Sequence, residues 1–211
     1  MMEERITSRK NPLIQQVRRL LSSRKDRVRE GLFVADGTKL LTEAVRFWPG
    51  LETVILSDGI QAQVPEQVRV VRVPEDVMES VSPMQSPQGA LFICRLPEKK
   101  AFTPKPGMLL LDGIQDPGNL GTILRTADAL DVPVALLEGC ADPYSHKVVR
   151  SSMGAVFRTP VVQTDWQSAQ AACREAGIPA SAQAVFTVFQ SLWSTGVRNT
   201  APMLERTTLW L

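Results

Sequence analysis

The residues best placed to do chemistry lie in Leu111-Asp-Gly-Ile-Gln-Asp-Pro-Gly-Asn-Leu-Gly-Thr-Ile-Leu-Arg-Thr-Ala-Asp-Ala129. The stretch reads as a strand, a glycine-rich turn and a helix. Leu120, Ile123, Leu124 and Ala127 form the apolar stripe of that helix and leave Arg125 toward its polar side. Asn119 stands at or beside the helix start, where a side-chain amide and free backbone N–H groups hold an anion or a hydroxyl. Such a place suits a phosphate or a ribose at a sheet edge. The familiar nucleotide loops are absent: there is no GxxxxGK[ST], and Gly113, Gly118 and Gly121 do not make GxGxxG. A structural glycine turn carrying a surface arginine fits the same spacing.

A second polar cluster follows in Gly139–Pro160. Lys147, Arg150 and Ser151 fall within two helical turns and can share an exposed face. His146 is the single histidine of the chain and has no carboxylate or cysteine at ligand spacing, so it reads as a surface or packing residue. With one histidine in this setting, neither a Ser/His/Asp nor a Cys/His constellation can be assembled. Cys94, Cys140 and Cys173 are three, widely spaced and without a CxxC pair, so they read as reduced thiols and not as a disulfide framework or a zinc site. No metal is expected.

The elements that must position these residues follow from periodicity. Asn11-Pro12 looks like a cap with proline at the first helical position, and Leu13, Ile14, Val17, Leu20 and Leu21 repeat at helical spacing. Gly31–Ala35 is a short strand closed by Asp36-Gly37, and Leu40, Leu41, Ala44 and Val45 mark a second helix. Thr53–Ser57, Val68–Val73 and Ala90–Cys94 are further strands, with a short helix near Pro74–Val81. Residues 97–107, PEKKAFTPKPG, have no periodicity and read as a linker. Beyond it, strands at Met108–Leu111, Pro133–Leu137 and Phe157–Val162 alternate with helices at Asn119–Leu130, Ser145–Met153 and Asp165–Ala176. That alternation implies a parallel sheet with its working edge at the strands' C-terminal ends. The expected division is an α/β unit over 1–96, the linker, a second α/β unit over 108–177, and a tail over 178–211.

A chain of 211 residues with 44% hydrophobic content has room for one large domain or two small ones, which excludes wholesale disorder. No apolar run approaches a membrane span, and the first residues lack the apolar core of a signal peptide, so a cytoplasmic protein off the membrane is expected. The net charge is only +2, but residues 1–39 hold 10 basic and 5 acidic side chains. A basic end on a near-neutral body points to a polyanion, while a solvated helix surface explains the charge equally well.

DGIQDPGNLGTILRTADA and DPYSHKVVRSSMGAVFRTPV closely resemble the SpoU/TrmH branch of the SPOUT RNA methyltransferases. NPLIQQVRRLLSSRKDRVREGLFVADGTKLLTEA resembles the substrate-binding domain that precedes their catalytic domain. The resemblance runs from about Ser8 to about Gly177 and implies S-adenosylmethionine-dependent methylation of a ribose 2′-hydroxyl in ribosomal or transfer RNA. It also implies a homodimer and a knotted SPOUT-type catalytic domain. Arg125 takes the family's central catalytic position, and Asn119 supports it. Arg9, Lys10, Arg18, Arg19, Arg24 and Lys25, with Lys147 and Arg150, are the candidate RNA contacts, since phosphate contacts give affinity without sequence information. Aromatics, at 6%, are too few to name base-stacking residues.

Two departures from the family stand out. Asp36-Gly37 replaces an expected Glu-Gly. After Gly177 the Gly-x-Glu-x-x-Gly loop, the Ile-Pro-Met segment and the Ser-Leu-Asn-Val helix, which hold the cofactor and form the knot, have no counterpart in context. The tail, with Trp193 and Trp210, lacks clean periodicity. A frameshifted or truncated gene is the simplest account, no cofactor residue is assigned, and an RNA-binding protein without catalysis is the alternative.

Overall fold

The computed structural model describes residues 4–159, 161–178, 182–183 and 209–210. Two sheets carry the chain. The first takes its strands in the order β1 (Glu4–Arg5), β4 (Arg69–Val73), β3 (Leu51–Ser57), β5 (Ala90–Arg95), β2 (Leu32–Asp36). β1, β4 and β3 run parallel, and β5 is antiparallel to both its neighbours. Helices α1 (Pro12–Ser22), α2 (Arg24–Glu30), α3 (Thr38–Phe47) and α4 (Glu75–Val81) belong to this half.

The second half contains β6 (Leu109–Leu111), α5 (Pro117–Ala129), β7 (Val134–Leu136), α6 (His146–Ser151), α7 (Ala155–Arg158), β8 (Val161–Gln163) and α8 (Trp166–Glu175). β6, β7 and β8 are parallel, as the alternation implies. Two short strands from the tail, β9 (Ala182–Gln183) and β10 (Leu209–Trp210), extend the sheet, with β10 antiparallel to β6. The tail therefore supplies sheet that its pattern does not announce. The rest of the tail, and with it the knot and the cofactor loops, lies outside the described residues.

Cap chemistry explains most boundaries. The Asn11 side chain accepts the Leu13 N–H at 2.9 Å, with Pro12 at the first helical position. Ser23 ends α1 and, by accepting from Asp26 N–H, also starts α2. The sequence pattern missed α2 because it has no apolar stripe: its one buried residue is Arg27. It missed β1 because two exposed residues carry no alternation. The strand expected over Phe157–Val162 is corrected. Ala155–Arg158 forms α7, and β8 starts only at Val161. Gly154, at φ +87°, opens a new helical turn, and three consecutive apolar residues do not separate strand from buried helix.

Two apolar clusters flank the first sheet. One seats Ile14, Val17 and Leu20 of α1 and Val77 and Met78 of α4 against Val34, Ile55 and Ile93. The other crosses residues 97–107, joining Phe33, Leu41 and Phe92 to Leu111, Leu120, Val148 and Phe157. At its centre the Phe33 ring meets Tyr144 at 5.1 Å, Trp48 edge-on at 5.7 Å and Phe157 at 6.3 Å between centroids. Aromatic pairs of this kind add about 0.5–1.5 kcal/mol each beyond burial. The two sheets thus share one continuous core.

Candidate functional site

The site is built at the C-terminal ends of β6 and β7. After Leu111 the chain turns at Gly113 (φ +64°), and after Leu136 it turns at Gly139 (φ +79°). The two turns are stitched together. Ala141 N–H donates to the Ile114 carbonyl at 2.8 Å, and the Cys140 thiol donates to the Leu111 carbonyl at 3.2 Å while accepting from Ile114 N–H at 3.4 Å. Burial pushes the Cys140 thiol up, so it stays protonated and serves the loops as a hydrogen-bonding group.

α5 leaves this edge with its start fixed. Asp116 is the cap, accepting the Asn119 N–H at 2.7 Å, and Pro117 is the first helical residue. Asn119 therefore sits within the first turn, beside the helix start, and the helix begins at Pro117 and not at Asn119 as its pattern suggests. The helix lies tight on α6: a Cβ on Gly121 would be 1.9 Å from Ser151 Oγ and 2.8 Å from the Ser152 backbone nitrogen. The Ser151 hydroxyl reaches back to the Pro117 carbonyl at 2.9 Å. Leu120, Leu124 and Ala127 are buried as expected, whereas Ile123 is half-buried.

Asn119 and Arg125 are both exposed, and among the described residues neither side chain has a hydrogen-bond or ion-pair partner. Six helical positions separate them, which is about 9 Å of rise and about 120° of turn. They lie on one solvent-facing surface without meeting.

The candidate RNA contacts divide into two groups. Arg9 is paired with Asp76 at 2.9 Å, Arg18 donates to the Ser80 hydroxyl at 3.0 Å and carbonyl at 3.2 Å, and Arg19 lies 3.7 Å from Glu30. Lys10, Arg24 and Lys25 are exposed, and their side chains have no partner among the described residues. On α6, Lys147 is exposed, and Arg150 reaches the Met84 sulfur at 2.6 Å. His146 is half-buried and bonded to the Leu21 backbone, and burial lowers its pKa, which fits the packing role. Asp36, raised by burial, accepts from the Ser82 hydroxyl at 2.7 Å.

Two charged ties between the halves were not legible in the sequence. Arg27 donates through Nε and NH2 to Asp142 at 2.9 and 2.6 Å and through NH1 to the Leu20 carbonyl at 2.6 Å. The side chains are only 6% and 13% exposed. Arg158 of α7 pairs with both Asp128 of α5 and Glu43 of α3. The first tie sets the α1–α2 junction against the start of α6. Partners 115 positions apart leave no local signal.

Among the described residues, no group of three His, Cys, Asp or Glu could hold a metal ion, and no helix is long and apolar enough to cross a membrane. The segment to which a cofactor would be referred is mostly outside the described residues.

Comparison with known proteins places both halves. Residues 106–189 match the SpoU rRNA Methylase family, and residues 11–91 match an MRM3-like substrate binding domain. The first match runs beyond Gly177, where the motif resemblance ends. A Bacillus subtilis protein named 23S rRNA (guanosine(2553)-2′-O)-methyltransferase RlmP is 30% identical over 206 residues, covering 96% of this chain and 77% of its own length. The Xenopus tropicalis mitochondrial rRNA methyltransferase 3 is 35% identical over 162 residues, covering 70% of this chain, which spans 39% of that protein. The AdoMet-bound rRNA methyltransferase from Sinorhizobium meliloti superposes with a TM-score of 0.71 at 28% identity, covering 82% of this chain and 69% of its own.

Proposed function

We propose a function from one premise: the chain belongs to the SpoU rRNA methylase family. It transfers a methyl group from S-adenosylmethionine to a ribose 2′-hydroxyl of ribosomal or transfer RNA, working in the cytoplasm as a homodimer and without a metal. Residues 1–96 hold the RNA, 97–107 link, and 108–177 carry the reacting edge, followed by the atypical tail of 178–211. The observation that carries this reading is the pair of exposed polar side chains, Asn119 and Arg125, that have no partner among the described residues, on a helix otherwise fastened to its neighbours.

S-adenosylmethionine supplies an electrophilic methyl on a sulfonium. The ribose hydroxyl is a weak nucleophile that needs in-line placement and help in losing its proton. Arginine is a very poor base, its pKa exceeding about 12. A guanidinium at Arg125 instead polarises the hydroxyl, anchors the adjacent RNA phosphate, which takes the proton, and stabilises the alkoxide charge as it develops. Asn119, about 9 Å back along the helix axis, offers an amide to a neighbouring ribose or phosphate oxygen. Lys10, Arg24 and Lys25, with Lys147, supply phosphate contacts, and charges without a partner among the described residues make them better candidates than Arg9, Arg18 and Arg19.

The test is methyl transfer from labelled S-adenosylmethionine to ribosomal RNA, with oligonucleotides bearing a 2′-deoxy substitution at the labelled position as control. Label on the ribose that disappears with the 2′-hydroxyl supports the proposal. RNA binding with no transfer by the folded chain overturns it in favour of an RNA-binding protein.

A further inference from the structure

The guanidinium of Arg158 has a demanding set of partners. Its Nε and NH2 donate to one oxygen of Asp128 at 2.9 and 2.8 Å, and its NH1 is bonded to Glu43. The other Asp128 oxygen accepts from the Thr159 hydroxyl at 2.8 Å. Glu43 reaches this point across Gly154, where a Cβ would stand 3.0–3.1 Å from the Glu43 side chain and where φ is +87°. The Phe47 ring, 5.7 Å from the Arg158 guanidinium carbon, lies along the same group. Three helices meet here: α3 from the first half, and α5 and α7 from the second.

Asp128 stands three positions after Arg125, one turn along the same helix and on a neighbouring face. The Gly121 contact and the Ser151–Pro117 bond hold the first turns of α5 to α6, but toward its C-terminal end the helix is seated by the apolar Leu124 and Ala127, and apolar contact is non-directional. A fork of charge-assisted hydrogen bonds is directional. Arg158 is 28% exposed, and ion pairs partly in water add little stability, so what the fork supplies is chiefly geometry.

We propose that Arg158 is a positioning residue for methyl transfer: by bridging Asp128 and Glu43 it sets the rotation of the Arg125 helix against the half that holds the RNA. The proposal rests on the functional reading above. It requires a planar fork that serves two carboxylates at once, which a lysine ammonium on one stem does not reproduce.

The experiment compares the full chain with Arg158→Lys and Arg158→Ala by single-turnover transfer at saturating RNA and S-adenosylmethionine, RNA affinity and melting temperature. The Lys variant is expected to keep RNA affinity within about twofold and to lose about tenfold or more in transfer rate, since misplacement of about 1 Å has costs of that order. A melting temperature that falls while the rate per folded molecule stays at the parent value overturns the proposal. A second readout is independent of activity: the distance distribution between spin labels at Val28→Cys and Leu130→Cys, on the exposed outer surface of α2 and just after α5. It is expected to be narrow in the parent and broadened in both Arg158 variants. A parent chain that transfers no methyl group refutes the functional reading alone, and the label distances then decide whether Arg158 sets the register. An unchanged distribution in Arg158→Ala overturns it.

Discussion

The joint between the two sheets and the outer face of α5 use the same residue type in opposite ways. At the joint, Arg27 and Arg158 have their donors committed to Asp142, Asp128, Glu43 and a carbonyl. On α5, Arg125 points to solvent with no partner among the described residues. A guanidinium already satisfied by protein carboxylates has no cause to leave them for an RNA phosphate, whereas an unsatisfied one can bind or polarise what arrives. Partner status, more than residue type, separates architecture from chemistry here. It also divides the basic N-terminal segment: Arg9, Arg18 and Arg19 are engaged, and Lys10, Arg24 and Lys25 have no side-chain partner among the described residues.

The sharpest way to break the contrast is at the joint. Arg27→Ala strands the Asp142 carboxylate in a buried place and is expected to cost about 3–5 kcal/mol, lowering the melting temperature on the order of 10 °C. Thermal unfolding that leaves the variant at parent stability would remove Arg27 from the architecture. Next in size is Arg125→Ala, expected to lower methyl transfer about a hundredfold or more, as loss of one charge-stabilising donor does. Its melting temperature should match the parent, with RNA affinity within about tenfold. The two arginines then differ in kind: one variant unfolds early and the other folds but does not react.

Gly121→Ala probes the seating of α5. The added methyl meets Ser151 and the Ser152 backbone, and overpacking of that sort costs about 1–3 kcal/mol, read by denaturant unfolding. Replacing Arg24 and Lys25 by alanine should leave stability unchanged and lower the salt slope of RNA binding by about one for each phosphate that is no longer neutralised. An unchanged slope returns the pair to a plain solvated surface. The smallest effect is at His146, whose pKa is lowered mainly by burial. The unfolded chain binds that proton first on acidification. The stability gained from His146 staying neutral is therefore complete above about pH 6.5 and declines as pH falls through the lower folded value. His146→Gln should flatten the melting temperature over that window, and an identical pH profile would contradict the assignment.

Where structure is written locally, the sequence was a good guide. The α1 cap at Asn11-Pro12, the α5 stripe and the alternation β6–α5–β7–α6 all follow from spacing, and Asn119 and Arg125 fall where that spacing puts them on an exposed surface. What was hidden depends on distant partners or lacks periodicity. α2 buries a single arginine, and α7 is an apolar triplet whose helical turn is decided by Gly154. Asp142 and Asp128 look like ordinary turn and surface aspartates until Arg27 and Arg158 arrive from elsewhere in the chain. The strands at 182–183 and 209–210 show that part of the tail joins the sheet with no local sign of doing so.

That tail bears directly on the central claim, because the resemblance to the family refers cofactor binding to the segment after Gly177. Calorimetric titration of the full 211-residue chain with S-adenosylmethionine is the most direct test. An enzyme of this family should bind it with micromolar affinity and one site per chain. A folded chain that binds ribosomal RNA in a salt-sensitive way and gives no heat with the cofactor would contradict the account and leave an RNA-binding protein in its place.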